Sequence, residues 1–517
     1  MRVCEVNAMN PQDDRKHQLG VGTRLKEPPS DRLIAAFASE LEYADTLFEG
    51  LSYADLAHVV TLIESGIVPD AAGRLLLREL VQMHQAGLAS LRLESRWGDL
   101  YNNRDSELQR RLGTTAGWLH AGRARREALT VGWLISVRDA CRALVRDGVA
   151  LVQTLSSVAR SHTRSLMPDF TYLQHAHPTT LGHYLLGFAY PVLRDVERLL
   201  FELHFLNRCP AGSGSTNGSR LPLDRKRICE LLGFAEVTVH TRDAMWQTDL
   251  PIHLMALLVS LATSAERLAE DLIIWSTAEF GFVELADRHC RTSVIMPQKK
   301  NPYALAFIRG KAREMTGHLV SVITTNQTTS GQLDNRNTAY KQVPEGISTV
   351  RSILNLLGEV LSHARFDVER LASQAGRGFT AATDLVDLLV QHAGIDPRTA
   401  HEIVGAVAAQ CPDADLSNPT TDWTQSLSSV FARTTGQRLP LDVEYVAEQL
   451  TPMRIIETRK GIGGCSPAQL ADMCAALEER ARQILAELDR GEAACQFPHR
   501  LWSAVEKLLS VEEEKPG

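Results

Sequence analysis

The sequence predicts an all-α fold built around long helices, and two observations lead to this prediction. Apolar residues recur three and four positions apart over long stretches, which is the spacing of helices that bury one face. Alternation of apolar and polar residues, which is typical of β-strands, is almost absent. The stretches from Leu185 to Leu206 and from Pro251 to Trp275 are long enough to form a helical bundle.

The helical spacing begins at Ser30 and continues to about Arg110. In the later long stretch the apolar stripe consists of Leu254, Leu257, Leu258 and Leu261. Asn301 and Pro302 predict the start of a further helix, with Asn at the N-cap and Pro at the first helical position. The apolar face of that helix would carry Leu305, Ile308 and Ala312.

Composition and charge narrow the class of protein. The chain has 517 residues, of which 44% are apolar and 23% charged, so a sizeable core is expected. A net charge of -7, with lysine and arginine dispersed, argues against nucleic acid as a partner. The nine cysteines show neither CxxC pairs nor regular spacing, which predicts buried thiols in a reducing cytosol rather than disulfides or a metal site.

We expect neither a secretion signal nor a membrane span. The first residues are polar and lack the apolar core of a signal peptide. The longest mainly apolar run, from Ile252 to Ala262, is followed by the charged residues Glu266, Arg267, Glu270 and Asp271. A cytoplasmic protein is therefore predicted.

The stretch from Arg291 to Pro302 (RTSVIMPQKKNP) concentrates reactive groups in a dozen residues. It carries a hydroxyl (Ser293), two ammonium groups (Lys299 and Lys300) and an amide (Asn301). A loop that brings these groups to a helix N-terminus suits anion chemistry, because unpaired N–H groups and the helix dipole face the ligand. An ordinary solvated loop has the same spacing, so the two interpretations are about equally favoured by spacing alone.

SVIMPQKKNP resembles the signature loop of the fumarase/aspartase superfamily, and most closely that of argininosuccinate lyases. The resemblance implies that Ser293 is the catalytic base, that Lys299 stabilises the anion and that Asn301 binds the substrate. Two positions depart from the family pattern. Thr292 stands where the family has glycine, and Val294 where it has a second serine.

AGWLHAGRARRE, residues 116–127, resembles a second motif of the same family. The resemblance implies substrate binding by Arg123, Arg125 and Arg126. Ala124 replaces a serine, and Arg126 replaces an asparagine that in the family helps to hold a substrate carboxylate. Composition alone favours a solvated helix start for this Arg-rich turn.

SLMPDFTYLQHAHPTT, within residues 165–186, resembles the motif that carries the catalytic histidine of the family. Thr171 and Gln174 match and are implied to bind substrate, whereas Tyr172 occupies the histidine position and would be the acid if one is used. Three histidines lie nearby but out of register, and for each of them a structural role is favoured. They are His175, His177 and His183.

Further positions match or depart from the family. LDNRNT keeps Asn335 and Arg336, which the resemblance implies to bind substrate. Ala339 replaces a glutamine that in the family recognises the arginine part of argininosuccinate. The glutamate that holds the family's histidine is replaced by Ala306. In the region of residues 51–58, Asp55 takes the position of a substrate-contacting serine.

The resemblance implies a three-domain fumarase/aspartase-type fold with a central long-helix bundle. We expect a flexible leader (1–18), an N-terminal helical domain (19–115), the central bundle (116–375), a C-terminal helical domain (376–490) and a charged tail (491–517). The family forms homotetramers in which each active site draws on three subunits. No cofactor or metal is implied, and the partner is a small dicarboxylate substrate.

The implied reaction is elimination from a substituted succinate with release of fumarate. An amine needs a proton as it leaves, whereas a weakly basic anion needs none and gains from a cation. Because Tyr172 and Ala306 replace the histidine and its glutamate while Arg126 adds a cation, the sequence favours nitrosuccinate, which gives fumarate and nitrite. Two alternatives remain: amine elimination from an N-substituted aspartate such as argininosuccinate, and an inactive crystallin-like scaffold.

Overall fold

The computed structural model describes residues 24, 27, 29–331, 334–419 and 421–510, so the predicted leader lies outside the described residues. The all-α prediction is confirmed. The helices are α1 (Asp31–Phe37), α2 (Ala44–Glu64), α3 (Asp70–Ala86), α4 (Leu100–Leu112), α5 (Arg125–Ser161), α6 (Leu181–Leu206), α7 (Arg225–Leu231), α8 (Thr241–Trp246), α9 (Asp249–Trp275), α10 (Tyr303–Asn326), α11 (Asp334–His363), α12 (Val368–Ala375), α13 (Ala382–Ala393), α14 (Pro397–Gln410), α15 (Thr421–Thr435), α16 (Val443–Gln449), α17 (Pro452–Thr458), α18 (Pro467–Cys495) and α19 (His499–Ser510).

Short strands connect some of these helices. They are β1 (Leu166–Thr171), β2 (Gln174–Thr180), β3 (Arg208–Cys209), β4 (Glu236–Val237), β5 (Val283–Glu284) and β6 (Arg365–Phe366). β1 and β2 form an antiparallel hairpin, β3 and β4 a parallel pair, and β5 and β6 an antiparallel pair.

The core of the molecule is a bundle of α5, α6, α9, α10 and α11, which pack along one another. The two long helices predicted from the sequence lie within α6 and α9. α9 is long and apolar enough by composition to cross a membrane, but its Leu254, Leu258 and Leu261 are buried against neighbouring helices. It is therefore a core helix of the bundle.

The bundle separates the motifs into two groups. Trp246, Arg126 and Arg336 lie beside the N-termini of α9, α5 and α11, and their side chains are in contact. At the other ends of these helices, α5 leads into the β1–β2 hairpin. α9 leads into β5, which precedes the loop of residues 291–301, and α11 leads into β6, which pairs with β5. At 1.5 Å per residue, the 27 residues of α9 separate the two groups by about 40 Å.

The C-terminal part has its own core, formed by residues from Ala381 to Ile455 and centred on the fully buried Trp423. α18 then returns to the bundle and packs on α5 and α6. Residues 491–510, predicted as part of a charged tail, instead complete α18 and form α19. The prediction of a tail overlooked the apolar face of α19. Leu501 and Val505 are spaced four apart, as on one face of a helix, and are buried against α2 and α3.

Candidate active site

The loop of residues 292–300 is closed at its base by an isolated β-bridge between Arg291 and Asn301. The amide of each residue donates to the carbonyl of the other, at 3.0 and 2.9 Å. The Asn301 side chain also donates to the Arg291 carbonyl, at 3.0 Å. The predicted helix start was therefore wrong by one residue: α10 begins at Tyr303 with Pro302 at the N-cap, because the Asn301 amide is used to close the loop.

Within this loop Ser293 and the two lysines have different surroundings. The Ser293 hydroxyl oxygen accepts a hydrogen bond from the Met296 amide at 3.2 Å. The Lys300 Nζ atom lies 2.7 Å from Asp287 and 3.1 Å from Glu284, and the hydrogen bond to Asp287 raises the pKa of Lys300. The Lys299 side chain is exposed and forms no ion pair with any described residue. Lys299 is thus the lysine that is available to a ligand.

Tyr172 stands at the tip of the β1–β2 hairpin and is 99% exposed. Tyr172 and Leu173 form its two-residue turn with φ of 56° and 59°, the left-handed conformation that both central residues of a type I′ turn require. Thr171 and Gln174 flank the turn and are also exposed. This hairpin was not predicted, because two short strands that each contain a proline lack the alternation of apolar and polar residues.

The three nearby histidines make structural contacts. His177 Nε2 lies 3.0 Å from the Thr383 hydroxyl at the start of α13, and His183 Nε2 lies 3.1 Å from the Gly463 carbonyl. The His175 ring packs edge-on against Phe170 across the hairpin. The contact of His177 fastens the hairpin to the C-terminal part of the chain, the contact of His183 does the same for the start of α6, and Tyr172 lies at the free end of the hairpin.

Arg123 is enclosed in a buried ion-pair cluster. Its Nη2 atom lies 2.7 Å from one carboxylate oxygen of Asp55, and the Nη2 of Arg104 lies 2.8 Å from the other. All three side chains are at most 3% exposed. Asp55, which takes the position of a family serine, therefore holds two guanidinium groups, and Arg123 faces this carboxylate rather than solvent.

Arg125 is the next arginine along the motif and is also paired. Its Nη1 atom lies 3.2 Å from Asp99, a carboxylate that caps α4 by accepting from the Asn102 amide at 3.0 Å. Burial raises the pKa of Asp99. Arg125 is one-third exposed, so part of its guanidinium remains accessible.

Arg126 and Arg336 differ from these two arginines, because neither forms an ion pair within the part of the chain that the structure describes. Arg336 is buried and donates to the Thr130 hydroxyl at 2.9 Å. Arg126 is half-buried, and its pKa is lowered first by burial and then by the charge of Arg336. Both guanidinium carbons lie over the ring of Trp246, at 4.4 and 5.4 Å from its centroid.

Trp246 was not among the predicted site residues. It lies far along the chain from both arginines, and no motif includes it, so only the fold brings the three side chains together. Asn335 was also predicted to bind substrate, but its side chain lies outside the described residues. Among the residues that the structure describes, no group of three or more His, Cys, Asp or Glu side chains is placed to hold a metal ion.

The predicted site residues thus fall into two groups within one chain. Arg123, Arg125 and the Arg126–Arg336 pair lie at the N-terminal ends of the bundle helices. The hairpin of residues 171–174 and the loop of residues 292–300 lie beyond the opposite ends. One substrate can meet both groups only where copies of the chain adjoin.

Comparisons with known proteins agree with this architecture. Residues 91–317 match the lyase family, and residues 379–457 match the argininosuccinate lyase C-terminal family. Argininosuccinate lyase from Methanoculleus marisnigri is 35% identical over 422 residues, covering 81% of this chain and 84% of that protein. Argininosuccinate lyase from Methanosarcina mazei is 32% identical over 490 residues, covering 94% and 97%.

The solved structures lead to the same class. An EDDS lyase variant with bound fumarate superimposes with a TM-score of 0.83 at 25% identity, covering 95% of this chain and 98% of that one. Fold, motifs and relatives together define a carbon–nitrogen lyase that releases fumarate. The chain belongs to the argininosuccinate lyase branch of the fumarase/aspartase superfamily.

Proposed function

We propose that this lyase eliminates nitrite from nitrosuccinate to give fumarate. The observation that carries the proposal is the Arg126–Arg336 pair, two guanidinium groups that share one indole and have no carboxylate partner among the described residues. Two cations without counter-ions among the described residues, one of them buried, favour an anionic ligand, since burying a charge without a partner costs free energy. A leaving nitrite supplies that charge as it forms.

The first half of the reaction uses the loop of residues 292–300. As an alkoxide, Ser293 removes a proton from the carbon next to the substrate carboxylate, and the electron pair moves into that carboxylate. The Met296 amide, which donates to the Ser293 oxygen at 3.2 Å, favours the alkoxide. Lys299, which no described residue neutralises, stabilises the doubly charged intermediate, and Asn301 binds beside it.

The second half is loss of the leaving group. The electron pair returns to form the carbon–carbon double bond, the carbon–nitrogen bond breaks, and nitrite departs with that bonding pair. Nitrite is a weak base, so no proton donor is needed. Arg126 receives the developing charge and Arg336 supports it. The substrate carboxylates are bound by Arg125, Thr171 and Gln174. Arg123 holds the motif of residues 116–127 in position through its ion pair with Asp55.

The active enzyme is a homotetramer whose sites combine three subunits, in the cytoplasm. This arrangement is supported by the separation of about 40 Å between the arginine cluster and the loop–hairpin end of one chain. Exposed apolar side chains at that end also favour burial against other copies. They are Tyr172, Leu173, Val294 and Ile295. The three helical domains belong to the same proposal, except that the predicted boundary at residue 490 falls within α18, which runs from Pro467 to Cys495 and packs on the bundle.

Amine elimination from an N-substituted aspartate is the second candidate. It is favoured by the position of Tyr172 at the free tip of the hairpin, where the phenol could reach a substrate held by another copy and act as the acid. The curated relatives are argininosuccinate lyases, but Ala339 replaces the residue that would read the arginine part. An inactive scaffold would not need Ser293 and a Lys299 without an ion pair to any described residue in an exposed loop.

The test is the products formed from each substrate. The purified protein is incubated with nitrosuccinate, argininosuccinate or another N-substituted aspartate, and fumarate is followed by absorbance and nitrite by a colorimetric assay. Equal amounts of fumarate and nitrite from nitrosuccinate are expected. Fumarate from only the aspartate derivatives would establish the second candidate, and no fumarate from any substrate by an intact tetramer would favour the scaffold.

A further inference from the structure

Trp246 is the structural centre of the arginine pair. Its ring centroid lies 4.4 Å from the guanidinium carbon of Arg126 and 5.4 Å from that of Arg336, both within the range of cation–π attraction. The three residues come from three elements, since Arg126 lies in α5, Trp246 ends α8 and Arg336 lies in α11. The indole is therefore a contact that the two cations share.

Several of the guanidinium donors around this ring lack acceptors among the described residues. Arg336 is only 7% exposed, and its Nε and Nη2 atoms have no hydrogen-bond partner in the described part of the chain. The Nε atom of Arg126 is also buried without a partner there. A buried donor without a hydrogen-bond acceptor lowers the free energy of unfolding of a protein. The arrangement has the features of an anion site, because buried guanidinium donors without partners among the described residues lie around one indole ring.

The edge of the indole that carries its N–H group is held by neighbouring loops. The N–H donates to the Ser215 carbonyl at 3.3 Å, which ties the ring to the Gly/Ser loop before α7. Gly331 lies beside the same edge, because a Cβ atom there would lie 4.0 Å from the ring carbons Cε2 and Cζ2. Arg242 of α8 donates to the Ser330 hydroxyl at 3.1 Å and fastens that segment to the same helix.

We infer that Trp246 is a positioning and specificity-determining residue that holds Arg126 and Arg336 as a clamp for a planar oxyanion group, either a nitro group or a carboxylate. The planar forks of two guanidinium groups match the oxygens of such a group, and the indole attracts both cations in spite of their mutual repulsion. The choice of a nitro group rests on the proposed function, whereas the clamp itself does not.

The experiment compares Trp246→Leu, which removes the aromatic face, with Trp246→Phe, which keeps one. Trp97→Leu is the matched control, since Trp97 stacks on Arg96 at 5.2 Å outside this cluster. Helix content and assembly are checked first by circular dichroism and size-exclusion chromatography. The binding probe is inorganic nitrate, a planar oxyanion, titrated by calorimetry at constant ionic strength with chloride as the balancing salt.

Wild type, Trp246→Phe and Trp97→Leu are expected to bind nitrate with Kd values within about threefold of one another, and Trp246→Leu at least about tenfold more weakly. With nitrosuccinate, Trp246→Leu should lower kcat as well as raise KM, because the pair binds the nitro group and also receives the charge of the departing nitrite. Nitrate affinity that is unchanged in Trp246→Leu, or undetectable in wild type, would overturn the inference. If nitrate binds as expected but nitrosuccinate is not consumed, the clamp stands and the proposed substrate fails.

Discussion

Lys300 is held by Asp287, with 2.7 Å between its Nζ atom and the carboxylate oxygen, while the adjacent Lys299 has no ion pair among the described residues. The second contact of Lys300, with Glu284, ties the same end of the loop to β5. The two consecutive lysines therefore have different surroundings. Lys300 fastens the base of the loop, and Lys299 is free to approach a substrate carboxylate.

This difference predicts unequal effects of removing each charge. Lys299→Met should lower kcat/KM by about 10²–10³-fold, because one preorganised donor to a developing oxyanion is worth that much. Lys300→Met should lower it less than about tenfold, since exposed ion pairs contribute little to stability. Fumarate formation is the measurement. Equal losses in the two variants would contradict the division of roles.

Ser293→Ala should abolish elimination while leaving helical content and assembly unchanged. The hydroxyl is half-exposed and its hydrogen bond joins only loop residues, so its loss does not disturb the core. Near-normal turnover would remove Ser293 from the mechanism.

Because the arginine cluster and the loop lie at opposite ends of one chain, inactive variants should complement each other. Mixing Ser293→Ala with Arg126→Ala subunits, after dissociation and reassembly, should restore part of the activity, since some sites then combine intact residues from different chains. Each variant reassembled alone is the control. A fully active monomer, or no recovery in mixtures that do exchange subunits, would refute the shared site.

The sequence predicted the bundle well because helix periodicity is a local signal, and both α6 and α9 appear where their apolar spacing placed them. Residue roles within the site were harder to predict. Arg123, Arg125 and Arg126 are equivalent by composition, and only tertiary contacts distinguish the arginine enclosed by Asp55 from the one that lies over an indole. Those contacts join residues far apart in the chain, so no pattern in a single sequence reveals them.

Asp55 is expected to be critical for stability. It is the carboxylate partner of both Arg104 and Arg123 in a buried cluster, so Asp55→Ala leaves two guanidinium groups uncompensated. The free energy of unfolding is expected to fall by about 3–5 kcal/mol, as it does when one partner of a buried ion pair is removed from other proteins. Ser52→Ala is the matched control, because it removes only a hydrogen bond from Arg104 and should cost about 1 kcal/mol. Denaturant unfolding measures both, and equal stability of the two variants would contradict the prediction.

Glu127 should make stability depend on pH. Burial raises the pKa of this carboxyl from 4.5 to about 7, although its Oε1 atom accepts from the Gly212 amide at 2.6 Å. Because the folded protein holds this proton more tightly than the unfolded chain, the stabilisation is complete below about pH 4.5 and is lost as the pH rises through about 7.

Glu127→Gln should therefore gain stability relative to wild type on going from pH 5 to pH 8, by up to about 3 kcal/mol at 1.36 kcal/mol per pKa unit. Thermal unfolding at several pH values measures the difference. Glu107→Gln is the control, since hydrogen bonding from Arg110 lowers the pKa of Glu107 and its contribution to stability therefore changes only below about pH 4.5, so its difference from wild type should stay constant from pH 5 to pH 8. A constant difference between Glu127→Gln and wild type across this range would show that Glu127 does not titrate there.

The choice of leaving group predicts how Tyr172 and Arg126 rank. If nitrite leaves, Tyr172→Phe should change kcat/KM little, because no proton is delivered to the leaving group. Arg126→Ala should lose about 2–4 kcal/mol of transition-state stabilisation, because it removes a donor to the developing charge. If an amine leaves, Tyr172→Phe should lose about 10²–10⁴-fold instead. The measurement is kcat/KM of both variants on nitrosuccinate and on an N-substituted aspartate. Restoring the family residues with Tyr172→His and Ala306→Glu should help the amine substrate only. A large defect in Tyr172→Phe on nitrosuccinate, with Arg126→Ala unaffected, would exclude the anionic leaving group.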